Sequence, residues 1–399
     1  MINKFLQHKV NKLSIAGVCA LASFSASAFE IEKDGWTFSV HGNIGAHYIY
    51  TGCDDTTDVV TGGFLCTGEN DPSTVTNGYL PTGFEFAIAG KVGDYDIKAK
   101  SIVDRGLDSN QAFNVGGDDE GFRVNLTIGN DKAGTLLAGR EFGLFAQDAA
   151  FTDMSVYGVG GSVLPSSPLN AQNAAASTGY IFLDRITQFT YTFPTSDAVI
   201  AQLGIFQPQD ISTISNTSGT FAGADSASET PGVHGRFRFN FDGGFVSSSF
   251  LTQEVDATVG ALTADYTATA IDLVGQINLG NVELTGSVYK AKGVGQYSLF
   301  IDPVDAMGEE RDSDGYLVQA IYKSGKTRYG VNYGVSNLDN TAIDPGTTLE
   351  EKSKVTFGIY HELAPGLTWS TEYSRVVAKN NAGGENENDV FNTGVIFFF

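Results

Sequence analysis

The chain has 399 residues, a formal net charge of −22 at pH 7, 48 glycines and only 10 prolines. So large an acidic excess argues against a nucleic-acid-binding protein, which needs a basic face. After the first residues no apolar run approaches the roughly 20 residues of a transmembrane helix, and no sustained helical period appears.

The amino terminus has the features of a secretory signal peptide. Three lysines precede an apolar stretch at 13–24, which is too short to span a membrane as a helix. Ala26-Ser27-Ala28 supplies the small residues of a cleavage site. These features predict a signal peptide at 1–28 and one domain at 29–399, with a membrane anchor as the alternative. Without the leader's lysines, 21 basic and 46 acidic residues give a net charge of −25.

Two cysteines remain after the leader is removed. Cys53 and Cys66 lie in a polar stretch rich in glycine and aspartate. In an oxidising compartment an even pair is expected to form a disulfide. Two free thiols are the alternative, and a zinc site is less favoured because two thiols do not complete one.

Apolar and polar residues alternate with period two along the mature chain. Phe84, Phe86 and Ile88 share one face of an early segment, and Arg123 lies on the polar face of the next clear one. The same pattern recurs at 233–241, 271–278, 328–335 and 354–360. Each segment is predicted to be a strand with one apolar and one polar face.

The predicted connections alternate between two kinds. Tight turns are expected at 91–94, 130–133, 194–197, 242–243, 280–281, 323–326 and 364–366. Long polar loops are expected at 51–79, 105–118, 143–181, 207–231, 255–264, 293–311, 337–352 and 378–388. Fifteen connections join sixteen strands, and this alternation is typical of a transmembrane antiparallel β-barrel with short periplasmic turns and long outer loops. A barrel of this size has an interior wide enough for water.

The stretch from Gly139 to Gly161 interrupts the alternation. It opens a segment, about 143–181, that is long for a connection yet carries many aromatic and aliphatic residues. Long loops without periodicity are usually functional or disordered, and the apolar content favours a packed one. We therefore expect the third long loop to fold into the lumen and narrow it.

The carboxy terminus gives an independent signal. Phe391, Val395, Phe397 and Phe399 lie on one face of the last predicted strand. An aromatic last residue resembles the assembly signal of outer-membrane barrels, so the barrel assembly machinery is expected to bind the chain through Phe399. A buried strand of a soluble protein is the alternative.

Three segments resemble the general bacterial porins: Glu30–Tyr50, Gly139–Met154 and the closing FNTGVIFFF. The resemblance implies a homotrimeric, sixteen-stranded, water-filled channel that lies among outer-membrane lipids and lipopolysaccharide. It implies passive diffusion of ions and small hydrophilic solutes, and a third loop whose carboxylates face basic residues on the wall.

Matching the family motif assigns Arg140 and Arg185 to the wall and Asp153 to the loop. From the polar faces and the loop, Arg123, Lys98, Lys100 and Asp148 are further constriction candidates. We expect Asp153 to face Arg140 and Arg185 across the narrowest part of the pore.

The sequence also departs from the family pattern. The acidic Pro-Glu-Phe-Gly-Gly motif is replaced at 156–160, so one constriction carboxylate is missing, and Asn43 stands where a lysine is expected. The large acidic excess favours a weak cation preference. Small residues at Gly83, Ala87 and Ala89 are expected to face outward and allow the trimer contact.

Other functions remain open at this stage. No G-x-S-x-G or H-E-x-x-H motif is present, so neither an enzyme nor a bound cofactor or metal is expected. A sugar-specific channel would use aromatic residues such as Phe142, Phe145, Phe151 and Tyr157 for stacking. An adhesin or purely structural barrel would need a plug, and acidic loops such as 309–314 are able in principle to bind divalent cations.

Overall fold

The computed structural model describes residues 29–63, 65–68, 71–105, 120–161, 178–211, 221, 224–226, 228–296 and 300–399. The predicted leader at 1–28 lies outside these residues. Three short strands, β1 (Phe29–Lys33), β3 (Ser73–Thr76) and β10 (Asp225–Ser226), are accessory to the barrel. The sixteen barrel strands are β2 (Trp36–Gly52), β4 (Thr82–Val92), β5 (Tyr95–Arg105), β6 (Glu120–Asn130), β7 (Gly134–Phe142), β8 (Arg185–Thr192), β9 (Val199–Phe206), β11 (Gly232–Phe241), β12 (Gly244–Val259), β13 (Leu262–Leu279), β14 (Val282–Lys292), β15 (Asp312–Ser324), β16 (Thr327–Leu338), β17 (Leu349–Ala364), β18 (Leu367–Asn380) and β19 (Glu385–Phe398).

Each barrel strand pairs antiparallel with its neighbour in the chain, and β19 pairs with β2 to close the ring. The closed sixteen-stranded β-barrel predicted from the sequence is therefore confirmed. Closure matters because a sheet with no edge leaves no row of unpaired backbone groups.

The tight turns lie where the sequence predicts them, but two of the predicted long loops are wrong. The segment 255–264 continues β12 and β13 to a turn at 260–261, and 378–388 continues β18 and β19 to a turn at 381–384. In both segments polar residues extend a regular ladder. The polar residues of these two segments therefore belong to strands that extend beyond the apolar band, and not to loops.

The side chains alternate between an apolar outer face and a polar inner face. On β4, Phe84, Phe86 and Ile88 are 37%, 42% and 46% exposed on the outside. Exposed aromatics lie near both ends of the strands: Tyr95, Phe241, Tyr322 and Tyr329 near the short turns, and Tyr48, Tyr316 and Tyr333 near the long loops. An apolar band between two aromatic girdles is the outer surface expected in a lipid bilayer.

The same alternation corrects one prediction. Because Phe84, Phe86 and Ile88 point outward, Gly83, Ala87 and Ala89 belong to the inner face, and Ala87 is only 3% exposed. These small residues are therefore not part of the outer wall.

The two chain ends meet in the same ladder. Gly42 donates its N–H to Phe399 O at 2.9 Å, and Phe399 donates to Gly42 O at 3.0 Å. A Cβ at position 42 would lie 2.4 Å from Gly83 O and 2.7 Å from the Phe399 ring, so only glycine fits here. Beyond this junction, β1 continues along the same edge of β2. No helix in the described ranges is long and apolar enough to cross a membrane.

We predict that the middle of the apolar band on the outer face tolerates no charge. Leu273 is 50% exposed in the middle of β13, and Leu273→Arg should destabilise the barrel in lipid by about 2–4 kcal/mol because the charge enters hydrocarbon. Gln276→Arg, on the inner face of the same strand, is the control and should cost little. Denaturant unfolding in lipid vesicles measures both; equal stability of the two variants would contradict a lipid-facing outer wall.

Candidate functional site: the inner segment and its wall

Residues 143–161, which we call the inner segment, lie inside the barrel. They form a short helix, α1 (Gln147–Thr152), followed by a 3-10 turn at Met154–Tyr157. Ala146 begins the helix with a left-handed φ of 53°, which turns the chain away from its entry at the end of β7. Between its two ends the segment contacts inward-facing side chains of β11, β12, β15, β16, β17 and β18.

The first attachment is a salt bridge at the start of α1. Asp148 receives three hydrogen bonds of 2.6–2.7 Å, two from Arg236 and one from Arg238 of β11. Arg236 also donates to Gln147 Oε1 at 2.8 Å. Burial alone would raise the pKa of Asp148, but the two guanidinium groups hold it below its ordinary value. The carboxylate therefore stays charged, and the bidentate geometry fixes α1 to the wall.

The second attachment surrounds Asp153. Its carboxylate accepts hydrogen bonds from Tyr180 Oη at 2.9 Å and from Asn332 Nδ2 at 3.2 Å. Burial and the nearby charge of Asp153 raise the pKa of Tyr180, so its phenol remains a donor. Next to this carboxylate, Gln319 accepts from Met154 N at 2.7 Å and donates to Thr152 O at 2.8 Å.

The third attachment is made by Glu372 of β18, at the end of the segment. Its Oε2 accepts the backbone N–H groups of Val159 and Gly160, both at 2.8 Å. Tyr360 and Asn392 also donate to this carboxylate. Because Glu372 is 1% exposed, these four donors replace the water that a buried carboxylate needs.

Glycines on the wall let the segment lie close to it. A Cβ on Gly330 would lie 2.4 Å from Met154 Sδ, and one on Gly334 would lie 2.1 Å from Thr178 O. Gly158 shows the same constraint from the segment's side, since its Cβ would lie 2.3 Å from Glu372. A side chain at position 330 or 158 would push the inner segment toward the centre of the lumen, and one at position 334 would displace Thr178 instead.

The wall formed by β4 to β8 carries paired charges. Lys98 pairs with Glu85 at 3.3 Å, and Lys100 pairs with Glu141 at 2.6 Å. Arg123 bridges Glu141 and Asp104, and Arg185 bridges Asp104 and Asp184. Each of these four predicted cations therefore has a carboxylate beside it. The Phe142 ring also lies against the guanidinium groups of Arg123 and Arg185, at 4.6 and 4.9 Å.

The predicted group of Asp153, Arg140 and Arg185 does not assemble. The Arg140 guanidinium lies 4.9 Å from the ring centre of Phe122, which is 51% exposed on the outer face. Arg185 pairs with Asp104 and Asp184, whereas Asp153 bonds to Tyr180 and Asn332. Arg140 is placed outward because Glu141 takes the inward position of β7.

The first long loop, 53–81, covers the end of the inner segment. Cys53 and Cys66 are joined by a disulfide within it. Leu65 and Cys66 pack with Val159, and Tyr79 donates its N–H to Gly158 O at 2.8 Å. The loop is held in turn by β19, through Asn388, and by the connection before β17. The end of the inner segment thus lies between the wall and this loop.

Sequence reasoning missed several residues that hold the segment. Glu141 faces inward only if Leu136, and not Leu137, faces outward on β7. These two leucines are equally apolar, so the alternation does not show which phase is right. Glu372 does lie on the polar face of its strand, but its four donors come from distant parts of the chain. In the described part of the chain, no three histidine, cysteine or acidic side chains are grouped so that they could hold a metal ion.

We predict that Glu372→Gln loosens the end of the inner segment. Hydrogen bonds to a charged acceptor contribute about 1.5–3 kcal/mol, so amide exchange at Val159 and Gly160 should accelerate roughly tenfold or more. Glu387→Gln, at an exposed ion pair with Arg375, is the control and should leave both amides unchanged. Unchanged protection in Glu372→Gln would show that the carboxylate does not hold the segment.

Comparison with known proteins agrees with this architecture. A family profile described as Gram-negative porin matches residues 14–381. No match is found among curated proteins.

Similar solved structures include the outer membrane channel DcaP of Acinetobacter baumannii, with a TM-score of 0.70 at 13% identity over 92% of this chain and 99% of that one. The anion-selective porin from Comamonas acidovorans has a TM-score of 0.60 at 15% identity, over 91% and 100%. OmpT of Vibrio cholerae, in its trimer form, has a TM-score of 0.57 at 15% identity, over 92% and 100%. At these identities the likeness establishes the fold.

Because the family profile covers most of the sequence and the barrel agrees with it, the chain belongs to the Gram-negative porin family and is a channel of the outer membrane.

Proposed function

We propose that the protein is a general diffusion channel for ions and small hydrophilic solutes, and that the inner segment forms its constriction. The observation that carries this proposal is the fixed path of residues 143–161 along the inner wall, held at Asp148, Asp153 and Glu372. A segment attached to the wall in this way would narrow the lumen. The long loops then face outward from the cell and the short turns face the periplasm.

The aromatic residues of the segment support a general channel rather than a sugar-specific one. Phe142 packs edge-on against Phe151 at 5.3 Å and lies 6.4 Å from Phe182. Phe145 is fully buried. Rings packed against one another have little open face for a sugar to stack on, so their role is to hold the segment to the wall. No enzymatic role is proposed, since the polar groups of the segment serve as attachments.

A weak cation preference follows from how the charges are distributed. Much of the inner-wall charge is compensated, as the pairs Lys100–Glu141 and Arg185–Asp104 illustrate. The net charge of −25 expected for residues 29–399 therefore acts mainly from loops and rims. Its field extends about 8 Å at physiological ionic strength, far enough to enrich cations at the mouths.

We predict that Asp148→Asn changes conduction. The substitution removes the carboxylate that pairs with Arg236 and Arg238, so α1 should leave the wall. We expect single-channel conductance to change by roughly 1.5-fold or more, and open-channel noise to change with it. Recordings in planar bilayers measure this, with Asp314→Asn on the outer face as control. A wild-type protein that forms no channel would overturn the proposed function. A conducting Asp148→Asn variant identical to the wild type would remove the inner segment from the constriction.

We also propose a homotrimer, in keeping with the trimer form of the Vibrio cholerae structure. Outer-membrane lipids and lipopolysaccharide would surround it, and the barrel assembly machinery would recognise Phe399. Unheated detergent electrophoresis with cross-linking should show a species about three times the monomer mass that dissociates on boiling. Detection of monomer alone, at every cross-linker concentration, would contradict the trimer.

A further inference from the structure

One arginine on the inner wall differs from the others. Among the arginine side chains that the structure describes, six form ion pairs with carboxylates: Arg123, Arg185, Arg236, Arg238, Arg311 and Arg375. Arg140 and Arg328 do not, and Arg140 lies against the outer face. Arg328 is thus the one inner-wall guanidinium in the described ranges without a carboxylate partner.

Arg328 lies on β16, close to the short turn that begins this strand. Its neighbours Tyr329 and Val331 point outward, which directs Arg328 into the lumen. The residue directly opposite on β15 is Lys323, whose charge is balanced by Glu283 at 2.8 Å. Glu362, near the end of β17, lies across from Lys326, to whose carbonyl it donates its N–H at 2.9 Å. No ion pair of the described residues includes Arg328, so no carboxylate neutralises this guanidinium by direct contact.

Two tyrosines fix the position of this charge. The Arg328 guanidinium lies 4.7 Å from the ring centre of Tyr157, which belongs to the inner segment, and 5.8 Å from that of Tyr360 on the wall. Burial raises the pKa of Tyr157, and the charge of Arg328 opposes that increase. Because Tyr157 is itself part of the inner segment, the guanidinium stands where that segment meets the wall.

Stacking on rings occupies the faces of a guanidinium but leaves its N–H edges for other partners. The Arg328 side chain donates one hydrogen bond to the Tyr157 side chain, and its Nε is buried without a hydrogen-bond partner among the described residues, so its donor capacity is only partly used. A planar fork of N–H donors matches the two oxygens of a carboxylate or phosphate group. A guanidinium that is held in place and has no carboxylate in direct contact, beside a narrowing, is therefore suited to a passing oxyanion.

We propose that Arg328 is an anion-binding and selectivity-determining residue of the pore, and that it takes the carboxylate or phosphate group of small solutes as they pass the inner segment. This assignment rests on the proposed channel function. It gives the pore a local preference for anions that opposes the cation enrichment at its mouths. Removing Arg328 should therefore make the channel more cation-selective.

The test is reversal-potential measurement in a KCl gradient across planar bilayers. Arg328→Gln should raise the cation-to-anion permeability ratio by about two- to fivefold, because a charge focused in a narrow lumen controls local ion concentration. Arg140→Gln is the matched control: it removes the same charge and the same ring contact, at Phe122 on the outer face, and should leave the ratio unchanged. Equal ratios in wild type and Arg328→Gln, or an equal shift in Arg140→Gln, would overturn the proposal.

Arg328→Lys separates charge from geometry and provides a second variant should Arg328→Gln fold poorly. Arg328→Lys should keep the wild-type permeability ratio. The probes of current block are succinate for the carboxylate and inorganic phosphate for the phosphate, and the half-blocking concentration of each should rise by roughly threefold or more in this variant. If neither probe blocks the wild-type channel, Arg328 binds no oxyanion. A wild-type protein that does not conduct would instead refute the channel function, so the two failures are distinguishable.

Discussion

Backbone pairing is the constraint on which this structure depends. A chain surrounded by hydrocarbon must satisfy every peptide N–H and C=O internally, and a closed ladder from β2 round to β19 does so. Closure in turn fixes which side chains point inward. Where the two chain ends meet, Gly42 and Phe399 exchange two backbone hydrogen bonds. The strands are so close at this junction that a side chain at position 42 would collide with the neighbouring strand.

The inner segment meets the same requirement by other means. Inside the barrel it has no strand partner for most of its length, so wall side chains satisfy its backbone: Ser249 accepts from Ala146 N, and Glu372 accepts from Val159 N and Gly160 N. Each contact serves two purposes, since it satisfies a buried polar group and places the segment at a fixed distance from the wall. Glycines such as Gly330 then decide how small that distance is.

Charge inside the barrel is largely balanced, which makes the exceptions informative. The cations of β5, β6 and β8 are matched by Glu85, Glu141, Asp104 and Asp184, and α1 is held by one carboxylate between two arginines. Such pairs orient the segment more than they select ions. We propose that selectivity depends on the acidic rims and, among the inner-wall arginines that the structure describes, on Arg328.

The sequence by itself determined the barrel and its strand number, because alternation along a strand and the spacing of turns are local properties. It also predicted the inserted segment and identified Asp148, Asp153 and Arg185 as residues of its neighbourhood. The sequence did not determine which side chains contact one another. The family motif predicts that Arg140 faces inward, and the equally apolar Leu136 and Leu137 leave the phase of β7 ambiguous, so the pattern does not correct that prediction. The polar residues 255–264 predict a loop, although they extend a hairpin. Only the tertiary structure brings Glu372 to Val159, 213 residues earlier in the chain, and places Arg328 between Tyr157 and Tyr360. Those contacts depend on how the closed ring wraps around the segment, and no local pattern records that.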